Sequence, residues 1–379
     1  MSCFVKLPII LTRRECGRVC HTHHVSYLRF SEFPKRRQHL SESLKNLFVL
    51  SLNKAYIGEY NISNITLSMT EIPNLSREFL HSCQSGNLSR VETLVSKYNL
   101  QDWTVFRHTI SGDTPLHVAA REGHINIVLY LCEAFERPEF RVDVVNKDMK
   151  RPLHEAAQFG RTNVLKYLIK KGASIDCLKR ADWTPLMLAC TKTGVEICEC
   201  VAILLEANAS PLVRNKDGWT PLLIACRSGD ANVVNLLLNH CSQSVNDRSN
   251  NGRSAMHIAA FHGHQHIIEL LSALNPSLLN ARDSSGSTPL HEAIKGGYTS
   301  VVERMIELGA DLCARDNVGQ TILHVAALTG NTEAVEYILK NNLIDVHCEA
   351  MFDVTPLIAA RRSNHMDTVE CIIKHGAMK

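Results

Sequence analysis

The sequence has almost no excess charge of either sign: 41 Lys and Arg stand against 38 Asp and Glu in 379 residues. So balanced a chain offers no bulk basic field for nucleic acid or a membrane surface. Long apolar runs are missing too. Leu47-Phe48-Val49-Leu50 is one of the apolar runs present, and a bilayer span needs about 18 or more apolar residues. No transmembrane helix, membrane partner or direct nucleic-acid partner is expected. Nucleotide and hydrolase fingerprints (P-loop, G-x-G-x-x-G, G-x-S-x-G, H-E-x-x-H) are absent from any supporting context. Neither a stand-alone enzyme nor a cofactor is therefore expected. Cysteine is not scarce, at 14 residues, but its spacings are irregular and no secretory leader pattern is legible. Free thiols in a reducing compartment, cytoplasmic or nuclear, fit that usage.

The length alone suggests two or three compact domains, but internal self-similarity replaces that reading. Thr114-Pro115-Leu116-His117 recurs from Arg151, Thr184, Thr220, Ser254, Thr288, Thr321 and Thr355, at intervals of 37, 33, 36, 34, 34, 33 and 34 residues. Thr or Ser before the motif is an N-cap, and Pro at the first helical position has no amide to leave unpaired. Small pairs follow, such as Ala119-Ala120 and Ala326-Ala327, which let neighbouring helices approach closely. Glycines such as Gly123, Gly229 and Gly330 then end the helix. A second apolar segment completes each unit, as in Ile268 and Leu271. One such unit buries too little surface to stand alone, so stability must come from stacking.

These residues resemble the ankyrin repeat family, over about residues 75 to 379. The resemblance implies an all-α solenoid of helix-turn-helix units joined by β-turn or hairpin fingers, monomeric, with a protein as partner. Residues 69–379 are then read as an N-terminal capping unit plus eight repeats. Glu78 to Gly86 and Leu88 to Tyr98 form the capping pair, and His375-Gly376-Ala377 falls where a further repeat would begin. Residues 1–68 differ, with ten basic side chains against four acidic ones, where the remainder holds 31 against 34. They read as a disordered basic extension or as sequence ahead of a start at Met69; a mitochondrial presequence is the alternative.

Two clusters invite a chemical reading. Cys16, Cys20, His21, His23 and His24 could supply zinc ligands, yet no partner knuckle follows, and no metal site is expected. His117, His154, His257, His291 and His324 share one repeat position, and the resemblance implies a structural role tying loops together. Cys198 and Cys200 fall on different faces of a helix and read as small buried hydrophobes.

Binding falls to the fingers, where repeats differ. Trp183 and Trp219 each stand directly before Thr-Pro-Leu in neighbouring repeats, and Trp is enriched in interface hot spots. Lys147, Lys179, Arg180 and Lys216 lie nearby, with Asp182 and Asp217, giving a candidate basic and aromatic strip. Packing of the two indoles against the next finger is the competing reading. The fingers around Asn146-Lys147-Asp148, Lys179-Arg180-Ala181-Asp182-Trp183 and Asn215-Lys216-Asp217-Gly218-Trp219 further resemble a branch of the family that binds the catalytic part of alanyl-tRNA synthetase. Lysines of that branch accept misactivated serine and so limit mischarging of tRNA. That resemblance implies Lys216 as an acceptor. The second acceptor position falls on Arg180, with Lys179 adjacent, and the third falls near Asn246, where no lysine stands.

Overall fold

The computed structural model describes residues 71–135 and 142–377. The expectations for residues 1–68, including the Cys16 to His24 cluster and a start at Met69, lie outside the described residues. Among the described residues eighteen α-helices follow in antiparallel pairs. The first pair is α1 (Glu71–Gln84) and α2 (Leu88–Lys97), the pair anticipated for the capping unit. Next come α3 (Pro115–Glu122) with α4 (Ile125–Glu133), α5 (Pro152–Gln158) with α6 (Thr162–Lys170), and α7 (Pro185–Ala189) with α8 (Val195–Glu206). Then follow α9 (Pro221–Ser228) with α10 (Ala231–His240), α11 (Ala255–Phe261) with α12 (Gln265–Leu274), and α13 (Pro289–Gly296) with α14 (Thr299–Glu307). The last pairs are α15 (Ile322–Thr329) with α16 (Thr332–Lys340) and α17 (Pro356–Arg362) with α18 (Met366–Lys374).

The recurring motif dictates each start. Thr184 Oγ1 accepts from the Met187 amide and Thr355 Oγ1 from the Ile358 amide. Where histidine follows, its Nδ1 accepts from the cap residue's own N–H, as in Thr288 and His291, which closes a capping box. Gly123 ends α3 with φ +86°, a left-handed value that suits a residue without Cβ. Leu116, Leu153, Leu186, Leu290 and Leu323 are fully buried, and so are the alanine pairs between them. Each such leucine contributes about 2 kcal/mol by leaving water, little beside the entropy of ordering one unit. Burial is completed by the neighbouring pair, so the core is one continuous layer along the stack.

Two ladders tie the fingers together. Backbone bonds of 2.9–3.2 Å join every tip to the next: Lys147 N–H to the Ser111 carbonyl, Arg180 to Asp148, Lys216 to Ala181, Asn250 to Asp217, Ser284 to Asn251, Asn317 to Ser285 and Met351 to Val318. The shared histidine forms the second. The Nε2 atoms of His117, His154, His257, His291 and His324 donate to the carbonyls of Lys150, Trp183, Ser287, Gln320 and Val354, at 2.9–3.2 Å. Burial lowers the pKa of all five, and that of His154 reaches about 4. Buried neutral imidazoles with both nitrogens bonded are structural parts. The two cysteines of α8 are structural as well. Burial raises Cys200 to about 12, and Cys198 and Cys200 sit on α8 as small packing residues.

One glycine is demanded by the tip ladder. Gly218 has φ +75°, and a Cβ there would lie 2.7 Å from the amide nitrogen of Asn250, the donor in the next rung. Gly218→Ala is expected to lower stability by about 1–3 kcal/mol, seen as a fall in the urea midpoint. An unchanged midpoint would show that the finger yields freely.

Candidate functional site

The third finger turns through Ala181 and Asp182, with φ of +63° and +62°, so both central residues are left-handed without a glycine. That is the geometry of a tight hairpin. It sets Lys179 opposite Trp183 in an isolated antiparallel bridge. Lys179 Nζ lies 3.2 Å from Asp148 Oδ2 and 6.0 Å from the centre of the Trp183 ring, and its side chain is only 17% exposed. Arg180 is the outward cation of this finger, 70% exposed, with Nε 3.8 Å from the same Asp148 carboxylate. Asp182 is half-buried at the tip.

The fourth finger is shaped by Asn215, whose buried Oδ1 accepts from the amides of Asp217 and Trp219 at 3.0 and 2.9 Å. Lys216 and Asp217 are exposed, and Lys216 makes no ion pair among the described residues. Arg227, from α9, stands over the Trp219 ring at 5.9 Å. Trp183 and Trp219 are both half-buried against the core, yet both line one groove of about 440 Å³. Asn215, Asp217 and Ile224 line it too, and Thr191, Arg227 and Ser228 close its inner side.

The structure brings the two indoles to one groove but does not bring every one of the expected cations with them. Lys147 does not join it: its Nζ reaches back to the Thr109 carbonyl, at 2.6 Å, on the preceding finger. Lys179 is committed to Asp148. Among the predicted residues the groove gathers Trp183, Trp219 and Asp217, flanked by Lys216 and Arg180. Asn246, where an acceptor would fall, is exposed and accepts from Asn275 Nδ2 at 3.2 Å. Among the described residues no three His, Cys, Asp or Glu side chains come together as metal ligands, and no helix is long and apolar enough to cross a membrane.

The groove opens where the histidine ladder is interrupted. Met187 and Leu223 occupy the histidine position in two consecutive repeats, so no imidazole spans those junctions. Helix α7 is also cut to five residues, and the Cys190 carbonyl at its end takes a 2.7 Å bond from Ser228 Oγ instead. A family model for ankyrin repeats, in three copies, matches residues 63–143, 135–215, 196–278, 240–316 and 272–350. The chain belongs to the ankyrin repeat family. Ankyrin repeats generally serve as non-enzymatic scaffolds for protein interaction, and in this ankyrin stack the Trp183–Trp219 groove lies where the histidine ladder is interrupted. Arg227 and Ser228, on α9, and Thr191, in the turn after α7, were missed because they lie outside the fingers. The signal for them was present in the loss of histidine at Met187 and Leu223.

Proposed function

We propose that this ankyrin chain is a proofreading partner of alanyl-tRNA synthetase, holding the catalytic part of that enzyme through the Trp183–Trp219 groove. The finger sequences support the reading, since they resemble those of ankyrin repeat domain-containing protein sixteen. The observation that carries it is the convergence of two aromatic anchors on one groove with the exposed, unpaired Lys216 between two of its lining residues. A seryl adenylate is a mixed anhydride. The free-base amine of Lys216 would attack its carbonyl carbon, forming an amide; the bond to the phosphate oxygen would break, AMP would leave with the electron pair, and the amine proton would pass to solvent.

A general adaptor with no covalent chemistry is the second reading. It is favoured by the second acceptor finger, where Arg180 has no nucleophilic amine and Lys179 is held by Asp148. Two experiments separate them. Trp183→Ala with Trp219→Ala should weaken co-purification of alanyl-tRNA synthetase by about 30-fold or more, the loss of at least one hot spot. Failure of the enzyme to co-purify with the wild type would falsify the leading proposal. Mass spectrometry after incubation with the synthetase, serine and ATP should find a seryl adduct on Lys216. Binding without that adduct leaves the adaptor.

A further inference from the structure

The first repeat shows what an arginine recruits at one position of the inner helix, seven residues after the cap. Arg121 Nη2 lies 2.7 Å from Asp113 and 2.9 Å from Glu155 of the next repeat. Arg227 and Arg362 occupy the same position in the fourth and eighth repeats, and both are exposed. Their would-be partners are gone. Trp219 and Val354 replace Asp113, and Ile258 replaces Glu155 beyond Arg227. Neither arginine makes an ion pair among the described residues, although Asp217 lines the first groove and Asp353 sits on the eighth finger.

Both arginines line a pocket in equivalent register, the first with two indoles and Ile224 among polar neighbours and the second mostly apolar. The second pocket, about 220 Å³, lies between the seventh and eighth repeats and includes Val318, Leu328, Met351, Phe352 and Arg362. Phe352 is 91% exposed and has φ +62°. A bulky side chain in the left-handed region is strained backbone, and here it turns an aromatic ring outward at the edge of the second pocket. Between the two pockets Arg253 and Lys295 are not unpaired in this way, because both are held by Glu292.

We propose that the two pockets together dock one extended segment of a partner protein carrying two anchors, each a carboxylate beside a bulky apolar side chain. The carboxylates complete Arg227 and Arg362 as Asp113 and Glu155 complete Arg121. Helices pack about 8–10 Å apart, so four repeats separate the anchors by about 32–40 Å, or about 9–12 extended residues. The proposal rests on the Trp groove being a binding site and adds the second pocket and the chemistry of the ligand.

The test is selection of a random 20-residue peptide display library on the full chain, followed by fluorescence polarisation of the enriched peptides. Two acidic-apolar clusters at that spacing are expected, with Arg227→Glu and Arg362→Glu each weakening binding at least tenfold. Peptides cut to one cluster should bind about 100-fold more weakly, since linked sites gain from effective concentration. If Arg362→Glu fails to fold, Phe352→Ser reads the same pocket. No enrichment, enriched peptides without acids, or an effect from only one arginine overturns the proposal. An effect from Arg227→Glu alone leaves the Trp groove standing, and no effect from either removes both.

Discussion

Replacing Arg253 and Lys295 together by methionine is expected to destabilise the stack by about 3–5 kcal/mol, the loss associated with stranding a buried charge. The Glu292 side chain is 0% exposed, and its carboxylate is held by Lys295 Nζ at 2.7 Å and Arg253 Nη2 at 2.5 Å. Both cations are one-third exposed and reach water; the carboxylate does not. The asymmetry predicts the companion result. Adding Glu292→Ile to the double variant should recover stability to within about 1–2 kcal/mol of wild type, because an apolar replacement removes the desolvation penalty. The other repeats show that such a side chain fits: Leu188, Ile224, Ile258 and Val325 occupy this position and are buried. Asp283, which loses its distant contact with Arg253, keeps the amides of Ser285 and Ser287 at 2.9 and 3.0 Å. Urea midpoints of the double and triple variants decide the matter. Equal midpoints would mean that the carboxylate reaches solvent and the charge is not stranded.

This network also marks where sequence reading stopped. The caps, the histidine position and the left-handed glycines were legible because each is local chemistry repeated at one period. The pairing of Trp183 with Trp219 followed from the same register. Partners across fingers were not legible. Lys147 was expected beside the indoles and turns instead to Thr109, while Lys179 lies beside Trp183 as expected but is also paired with Asp148. The Thr109 and Asp148 contacts each join residues more than thirty positions apart through flexible side chains, whose direction no spacing rule fixes. The freedom of Arg227 was legible in principle, but only by comparing its neighbours Trp219 and Ile258 with Asp113 and Glu155 around Arg121. What differs between repeats carries the site, and difference is visible only once the register of the repeats is known.

The histidine ladder gives the second large effect, on the dependence of stability on pH. His154 Nδ1 accepts from the Arg151 amide at 3.1 Å and its Nε2–H donates to the Trp183 carbonyl at 3.1 Å, so only the neutral ring satisfies both. Burial, with Lys150 and Arg151 nearby, holds it at about 4 against the Trp183 bond, which works the other way. In the unfolded chain the same ring titrates near about 6.5. Between those values the unfolded state binds the extra proton, so the ladder's stability is whole above about pH 6.5 and falls as pH drops toward the folded pKa. For His154 alone that amounts to about 3 kcal/mol across the window, and four further buried histidines are shifted in the same direction. The carboxylates act in a lower window. Burial works to raise Asp113, but the Asn146 and Arg121 bonds outweigh it and hold it at about 2, so its contribution is lost only as pH falls below the ordinary carboxylate range. His154→Met separates the two. Met187 fills this position in the next repeat, and the Trp183 carbonyl still receives the Lys179 amide at 3.0 Å, so the loss at pH 7.5 should be about 1 kcal/mol. Between pH 6.5 and 5 the variant should lose less stability than wild type, by about 1.4 kcal/mol per pH unit at most. Urea midpoints at pH 7.5, 6 and 5 would therefore converge and then cross, with the variant the more stable at pH 5. Parallel curves would mean that the ring is protonated in the folded stack, and the neutral ladder would have to be abandoned.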